Sequence, residues 1–450
     1  MILLAIDVGT STVKTALLDQ ESGEPLRPGV RVPYTIDYPE SDAAELSADR
    51  LWQSVAQSIQ KTLEQYDKLP TIGGIGLSCL MPALVLLNRA YQPIRPIWLH
   101  LDRRSRPIAR LIWEKYGDDF LKECGNRPLP GGISALCYMQ QTMADPYLAD
   151  QIGYYLHANS WLAFQLTGEM AMDPANASFT GLWNTMGDQK WSSKWCDIFG
   201  VDVHWLPQVV CGSSTIGTLR SVFAEAWGLP KNIPVKIGTA DTSSGMLAAH
   251  LTDRDLYITV GTTTVLARLV TNPVPDSARL TRHYGIGNQF IYAAHNPVGG
   301  SALPWILDLC FADYVQSGRT NEFYEKVIPQ AVHRVTNTQL KPPFLGGDRL
   351  EIEAKRAAFT ELTLGTDRMD LLAALLDAMR NGHRAAQAAL ELGNQRIDRI
   401  IISGGGSEIL RLLVPELENS DSWGSGNSIP RVEFLQDGAL RGVARLFDPV

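Results

Sequence analysis

Two aspartates stand where a carboxylate would be chemically useful. Asp7 ends a short apolar run and precedes Val8-Gly9-Thr10-Ser11-Thr12-Val13; Asp241 sits among small residues in Gly238-Thr239-Ala240-Asp241-Thr242-Ser243-Ser244-Gly245. The hexapeptide after Asp7 recurs as Val260-Gly261-Thr262-Thr263-Thr264-Val265, identical at five of six positions. A glycine that frees the backbone, followed by consecutive hydroxyl residues, aims N–H and O–H donors at one point, which is what a phosphate needs. One such stretch is equally a plain turn, whereas two opposed copies can grip one polyphosphate. A third stretch, Ser403-Gly404-Gly405-Gly406-Ser407, joins an apolar run at 399–402 to a helix capped by Ser407. Strand, glycines and helix N-terminus in that order let a base or ribose lie on the backbone. For Asp241 the neighbours allow two readings: a lone carboxylate presented at a strand end, or a cap for the helix that follows.

The elements that must position these groups follow from periodicity. Each Gly-Thr turn is flanked by apolar runs, 2–6 with 15–18 and 256–259 with 266–270, so each copy predicts two strands joined by a tight turn. Two hairpins predict two related domains, with a boundary near residue 250. Ser47 caps a predicted helix whose apolar face is Leu51, Val55, Ile59 and Leu63, and 367–392 predicts a longer amphipathic helix. Residues 72–87 read as core strands broken by a loop at 79–83, at a sheet end where ligands bind. A strand at 235–237 leads into Asp241, and 245–250 is helix-like. Segment 95–106 gathers Trp98, His100, Asp102 and Arg95, Arg103, Arg104 and Arg106, for which structural ion pairing is the default explanation.

Composition narrows the classes. The 450 residues carry 40 Lys and Arg against 48 Asp and Glu, a net charge of -8, with no basic run, which argues against nucleic acid as a partner. The six cysteines lack a Cys-x-x-Cys pair, and no histidine stands at metal-ligand spacing, so a reducing compartment and no structural zinc are expected. Five apolar residues before Asp7 are too few for a signal peptide, and no run approaches a membrane span. The expectation is a cytoplasmic protein without a membrane partner.

Taken in order, these motifs resemble the FGGY carbohydrate kinases of the actin, sugar kinase and Hsp70 superfamily, most closely the xylulose kinases, over nearly the whole chain. The matching segments are 7–11, 260–264, 76–87, 95–105, 238–245, 343–349 and 403–407. The resemblance implies an α/β fold of two ribonuclease H-like (actin-like ATPase) domains with a hinge and an interdomain cleft. Residues 1–250 would carry the sugar site, the first phosphate loop and the catalytic aspartate; residues 251–450 would carry the second phosphate loop and the adenosine site. It implies ATP and Mg²⁺, with Asp241 as general base and Asp7 orienting Mg²⁺ through water. Gly9, Thr10, Ser11, Gly261, Thr262 and Thr263 would hold the polyphosphate, and Gly404, Gly405 and Ser407 would face the adenosine. Met81, Pro82, His100 and Asp102, with Asp241, would line the sugar pocket.

The chain departs from the xylulose kinases at that pocket. Pro82 replaces a histidine, Leu80 a glutamine and His100-Leu101 a Trp-Asn pair. A ketopentose such as D-xylulose is the expected acceptor, with ribulose, sedoheptulose, gluconate or a polyol as alternatives. A catalytically silent sensor would have lost the base or the phosphate threonines, and both are present. An actin- or chaperone-like ATPase leaves the sugar-site segments unexplained. Dimers are common among the relatives, so a homodimer is compatible with the sequence, though no feature enforces one.

Overall fold

The computed structural model describes residues 1–261, 263–344, 350–392, 396–404, 410 and 430–448. Its framework is two six-stranded sheets built on one plan. In the first, β1 (Ile2–Val8), β2 (Thr12–Asp19) and β3 (Val30–Pro33) form an antiparallel meander. β4 (Ile72–Cys79) lies parallel to β1 on its other side. The far edge is β5 (Thr215–Thr218), antiparallel to β6 (Pro234–Ala240), which runs parallel to β4. In the second sheet β7 (Asp255–Val260) and β8 (Thr264–Val270) repeat the hairpin. β9 (Leu280–His283) forms an edge on β10 (Phe290–Asn296), which pairs antiparallel with β8. β11 (Arg399–Ser403) runs parallel to β7, and β12 (Arg431–Leu435) parallel to β11. Thus β7, β8, β10, β11 and β12 repeat β1, β2, β3, β4 and β6.

Both faces of these sheets are covered, so their central strands are apolar throughout rather than alternating: Leu3 to Ile6 are all fully buried. Beneath the first sheet lies α1 (Ala48–Leu63), whose cap, the Ser47 hydroxyl, accepts from the Arg50 amide at 3.3 Å. Its predicted face of Leu51, Val55, Ile59 and Leu63 is the buried one. After β6 comes α2 (Asp241–Ala248). Under the second sheet α3 (Arg368–Ala389) starts at an Asp367 capping box and buries Leu372, Leu375, Leu376 and Met379. The last described helix, α4 (Gly438–Arg445), follows the second sheet in sequence but packs Leu440, Val443 and Ala444 against Leu3, Ala5, Ala16 and Leu18 of the first. The chain therefore crosses between the sheets twice, before β7 and after β12.

One local expectation is revised. Helix α2 begins at Asp241 itself, not at residue 245, so Asp241 occupies the first helical turn instead of a loop, and Ala240 holds the cap position. The Thr-Ser-Ser run is a weak helix former, but tertiary contact overrides propensity here. Ser243 and Ser244 are fully buried, and a Cβ on Gly442 of α4 would lie 1.7 Å from the Ser244 carbonyl oxygen, so the two helices touch backbone to backbone. A smaller antiparallel sheet (Glu45–Leu46, Ile97–Leu99, Ala83–Leu87 and Tyr154–His157) carries the 80–82 and 100–103 loops. Among the described residues no helix is long and apolar enough to cross a membrane, and no three His, Cys, Asp or Glu side chains cluster as a metal cage.

Candidate active site

The repeated plan brings the two Gly-Thr turns to one cleft. In the first, the Gly9 amide donates to the Thr12 carbonyl at 3.0 Å; in the second, the Gly261 amide donates to the Thr263 carbonyl at 3.0 Å. The glycine amides thus close the turns, and in the first Thr10 and Ser11 lie between the bonded ends. Tyr34 braces the first turn, its hydroxyl donating to the Gly9 carbonyl and its amide to the Ser11 carbonyl.

Two adjoining cavities, about 760 and 280 Å³, share Asp241, Thr242 and Thr259 as a common wall. Asp7, Tyr257, Ser403, Gly404 and residues 434–439 line the larger one. Lining the smaller one are Thr10, Gly261 and Thr263 with Leu80, Met81, Pro82, His100, Arg103, Arg282 and His295. Asp241, Asp7, Thr10, Gly261, Thr263, Gly404, Met81, Pro82 and His100, all expected at the site, are therefore brought together. Ser11 is exposed on the turn beyond Thr10. Thr262, Gly405 and Ser407 lie outside the described residues.

Asp102 is a correction. Instead of facing the cavity it is fully buried, with Oδ2 accepting from the Ala44 amide at 2.9 Å and from Arg104 Nη2 at 2.7 Å, and Oδ1 from the Arg104 amide at 3.0 Å. Arg104 is held in turn by Glu45 at 2.6 Å and lies 3.6 Å over the Trp98 ring. A carboxylate so fully used has no lone pair aimed at a sugar. It fixes the wall that presents His100 and Arg103.

Asp241 lies at the first turn of α2, where helix-end amides favour a negative charge; its Oδ1 accepts from the Thr242 amide at 2.6 Å. The strand before it is held by Asp173, which accepts from Thr239 Oγ1 at 2.9 Å and is itself buried among Asn159 and Asn176. Asp7 is half-buried at the end of β1, with Ser78 Oγ donating to it at 2.8 Å. Burial pushes its carboxyl up to about 7 against the pull of that hydrogen bond, and the charge of Asp241 pushes the same way. A carboxylate that resists ionising in the bare cleft is suited to a nearby cation. Carboxylates that form no cage among the described residues fit Mg²⁺, which keeps much of its water and takes most other ligands from substrate phosphates.

Sequence reasoning missed Thr242, Tyr257, Thr259, Arg103, Arg282 and the 434–439 segment. Tyr257 and Thr259 had a signal, since they alternate on the strand entering the second turn. Arg282 had none, because its place depends on β9 reaching the cleft.

Comparison with known proteins matches both halves to one family. The pattern of the FGGY family of carbohydrate kinases, N-terminal domain, matches residues 2–248, and that of its C-terminal domain matches residues 256–413. A xylulose kinase of Staphylococcus xylosus is 22% identical over 413 residues, 90% of this chain and 83% of that protein. Among solved structures, a ligand-bound xylulose kinase from Lactobacillus acidophilus superposes with a TM-score of 0.85 at 18% identity, covering 99% of this chain and 88% of the other. A gluconate kinase from Lactobacillus acidophilus gives 0.84 at 18% identity, with coverage of 99% and 88%.

Proposed function

Because the chain belongs to the FGGY family of carbohydrate kinases, its reaction is transfer of a phosphoryl group from ATP to a sugar, and we propose that the acceptor is a ketopentose such as D-xylulose. The observation that carries the site assignment is the position of Asp241 on the wall common to both cavities. A group there meets a sugar hydroxyl from one side and a γ-phosphate from the other.

Phosphoryl transfer needs positioning and charge stabilisation more than covalent participation. Asp241 accepts the proton of the attacking hydroxyl, a role that requires hydrogen-bond contact with it. Thr10 and Ser11 on one side, and Thr263 with Thr262 on the other, hold the polyphosphate. Gly404, with Gly405 and Ser407, faces the adenosine; the φ of +98° at Gly404 and its approach to Val260 suit only glycine. Mg²⁺ bound near Asp7, through water, would neutralise charge on the phosphates. Met81, Pro82 and His100 shape the sugar end, and Asp102 acts behind them through Arg104. Residues 1–250 and 251–450 act as two jaws whose closure about 240–255 completes the donor set and excludes water.

The test is ADP release from Mg·ATP with a panel of ketoses, polyols and sugar acids, run beside Asp241→Asn. One ketopentose should stimulate release, and the variant should turn over about 10²- to 10⁴-fold more slowly. Near-normal turnover by the variant removes the base assignment. Preference for a sugar acid or polyol corrects the acceptor and leaves the kinase intact.

A further inference from the structure

The cleft contains a buried cation that no carboxylate contacts among the described residues. Arg282, on the edge strand β9, is 5% exposed. Its Nη1 donates to Ser243 Oγ at 2.7 Å and to the His283 carbonyl at 3.4 Å, and among the described residues it has no carboxylate in ion-pair contact. Asp241 and Asp173 act on it only through space; burial lowers its pKa to about 10, so it is still a cation at neutral pH. Two other partly buried arginines meet carboxylates directly: Arg104 with Asp102 and Glu45, and Arg399 with Asp255 at 2.7 Å. A desolvated charge held by neutral acceptors with no counter-charge in contact is destabilising, so a purely structural role explains Arg282 poorly.

Its surroundings indicate which anion completes it. Arg282 lines the cavity that also contains Thr10, Gly261, Thr263 and Asp241. The two Gly-Thr turns contribute only neutral donors, yet the group that passes between them is highly charged. The anchor of the guanidinium is Ser243, in the first turn of the helix that begins with Asp241. The arginine is therefore anchored to the helix of the base and faces the cavity that the second turn also lines before any ligand binds, the preorganisation that makes a charge effective in a transition state.

Resting on the kinase reading above, we propose that Arg282 is a further catalytic residue whose guanidinium contacts the oxygens of the transferring γ-phosphoryl group. In that step the sugar oxygen forms its bond to phosphorus and gives its proton to Asp241. The bond to the β,γ-bridging oxygen breaks with its electron pair leaving on ADP, and Arg282 neutralises the oxygens of the group in transit.

The experiment compares wild type with Arg282→Gln on the sugar that wild type accepts, and measures binding of that sugar with Mg·ADP and aluminium fluoride as a transition-state mimic. Arg282→Gln should lose about 100-fold or more in kcat, with KM for sugar and ATP within about threefold, Mg·ADP affinity unchanged and the fluoride complex weakened in parallel with kcat. A raised sugar KM with kcat preserved overturns the proposal in favour of a sugar contact. Unchanged kinetics overturn it in favour of a structural role. If Arg282→Gln does not fold, Arg282→Lys decides: an ammonium cannot reproduce the paired contact, so kcat should stay about 10-fold or more down, and wild-type kcat overturns the proposal. A wild type inactive with every sugar removes the reading on which this rests, whereas an active wild type matched by an equally active Arg282→Gln removes only this inference.

Discussion

Asp7 holds its proton in the bare cleft to a pH where an ordinary aspartate has long lost it, and this has a measurable sign. Its folded pKa is raised to about 7 from 3.8, mainly by burial. Between those values the folded chain binds a proton that the unfolded chain does not, so this residue's contribution to stability falls as pH rises from about 4 to about 7. The shift alone corresponds to ~4 kcal/mol, and water in the cleft reduces this to on the order of 2 kcal/mol. Ligand-free Asp7→Asn should therefore melt a few degrees above wild type at pH 7.5, with the difference closing by pH 4, although its catalysis is impaired. Melting curves at the two pH values check this; a variant that melts no higher at pH 7.5 would show that the carboxyl is not strained. Asp7 and Asp241 were legible in the sequence because each lies against its own glycine and hydroxyl residues. Asp102 was misread because its partners are Arg104, two residues on, and the amide of Ala44, far away in sequence. Nothing around Arg282 marks it locally, since its meaning comes from Ser243 and the cavity it faces.

At the scale of elements, the hairpins were legible because apolar runs around a Gly-Thr turn leave few alternatives, and α1 and α3 because their apolar faces follow the helical period. The start of α2 was not, since it depends on a helix almost two hundred residues later. Small residues at that crossing carry the contact: added Cβ atoms would lie 1.7 Å from the Ser244 carbonyl at Gly442 and 2.1 Å from the Tyr257 hydroxyl at Gly245. Gly442 is helical, so backbone freedom is not the issue; the obstacle is the Ser244 backbone itself. Gly442→Ala must push α4 from α2, costing about 1–3 kcal/mol as overpacking does. Because α2 begins with Asp241, the displacement reaches the base, and a shift of about 1 Å can lower the rate on the order of 10²-fold. The expected outcome is a folded variant with lower melting temperature and lower kcat but near-normal nucleotide affinity. An Ala variant with full activity would mean that the position of α2 does not depend on this crossing.

At the scale of the whole molecule, the duplicated sheet plan follows from the duplicated turn, whereas the return of α4 to the first sheet carries no signal of its own: its Leu440, Val443 and Ala444 suit either core. That return ties the halves together twice, and further contacts join them. Asn126 exchanges hydrogen bonds with Thr281 at 2.6 and 2.9 Å, and the His283 amide donates to Ser178 Oγ at 3.0 Å, all buried. By contrast, Arg110 meets Glu353 at 2.6 and 2.7 Å as an exposed pair, of a kind worth about 0–1 kcal/mol and weakened by salt. The buried contacts at β9 resist separation, and on the proposed closure about 240–255 the exposed pair acts as a latch that yields more easily. The jaws should therefore be partly open without ligand and close around it, with a radius of gyration near 22 Å for a compact chain of this length falling by about 0.5–1 Å. Small-angle scattering with and without Mg·ADP and the accepted sugar measures the change. Higher salt should enlarge the ligand-free particle slightly by loosening the latch, and leave the liganded one as it is. A particle of constant size under all four conditions would mean that the cleft is assembled before ligands arrive, leaving water exclusion to the ligands themselves.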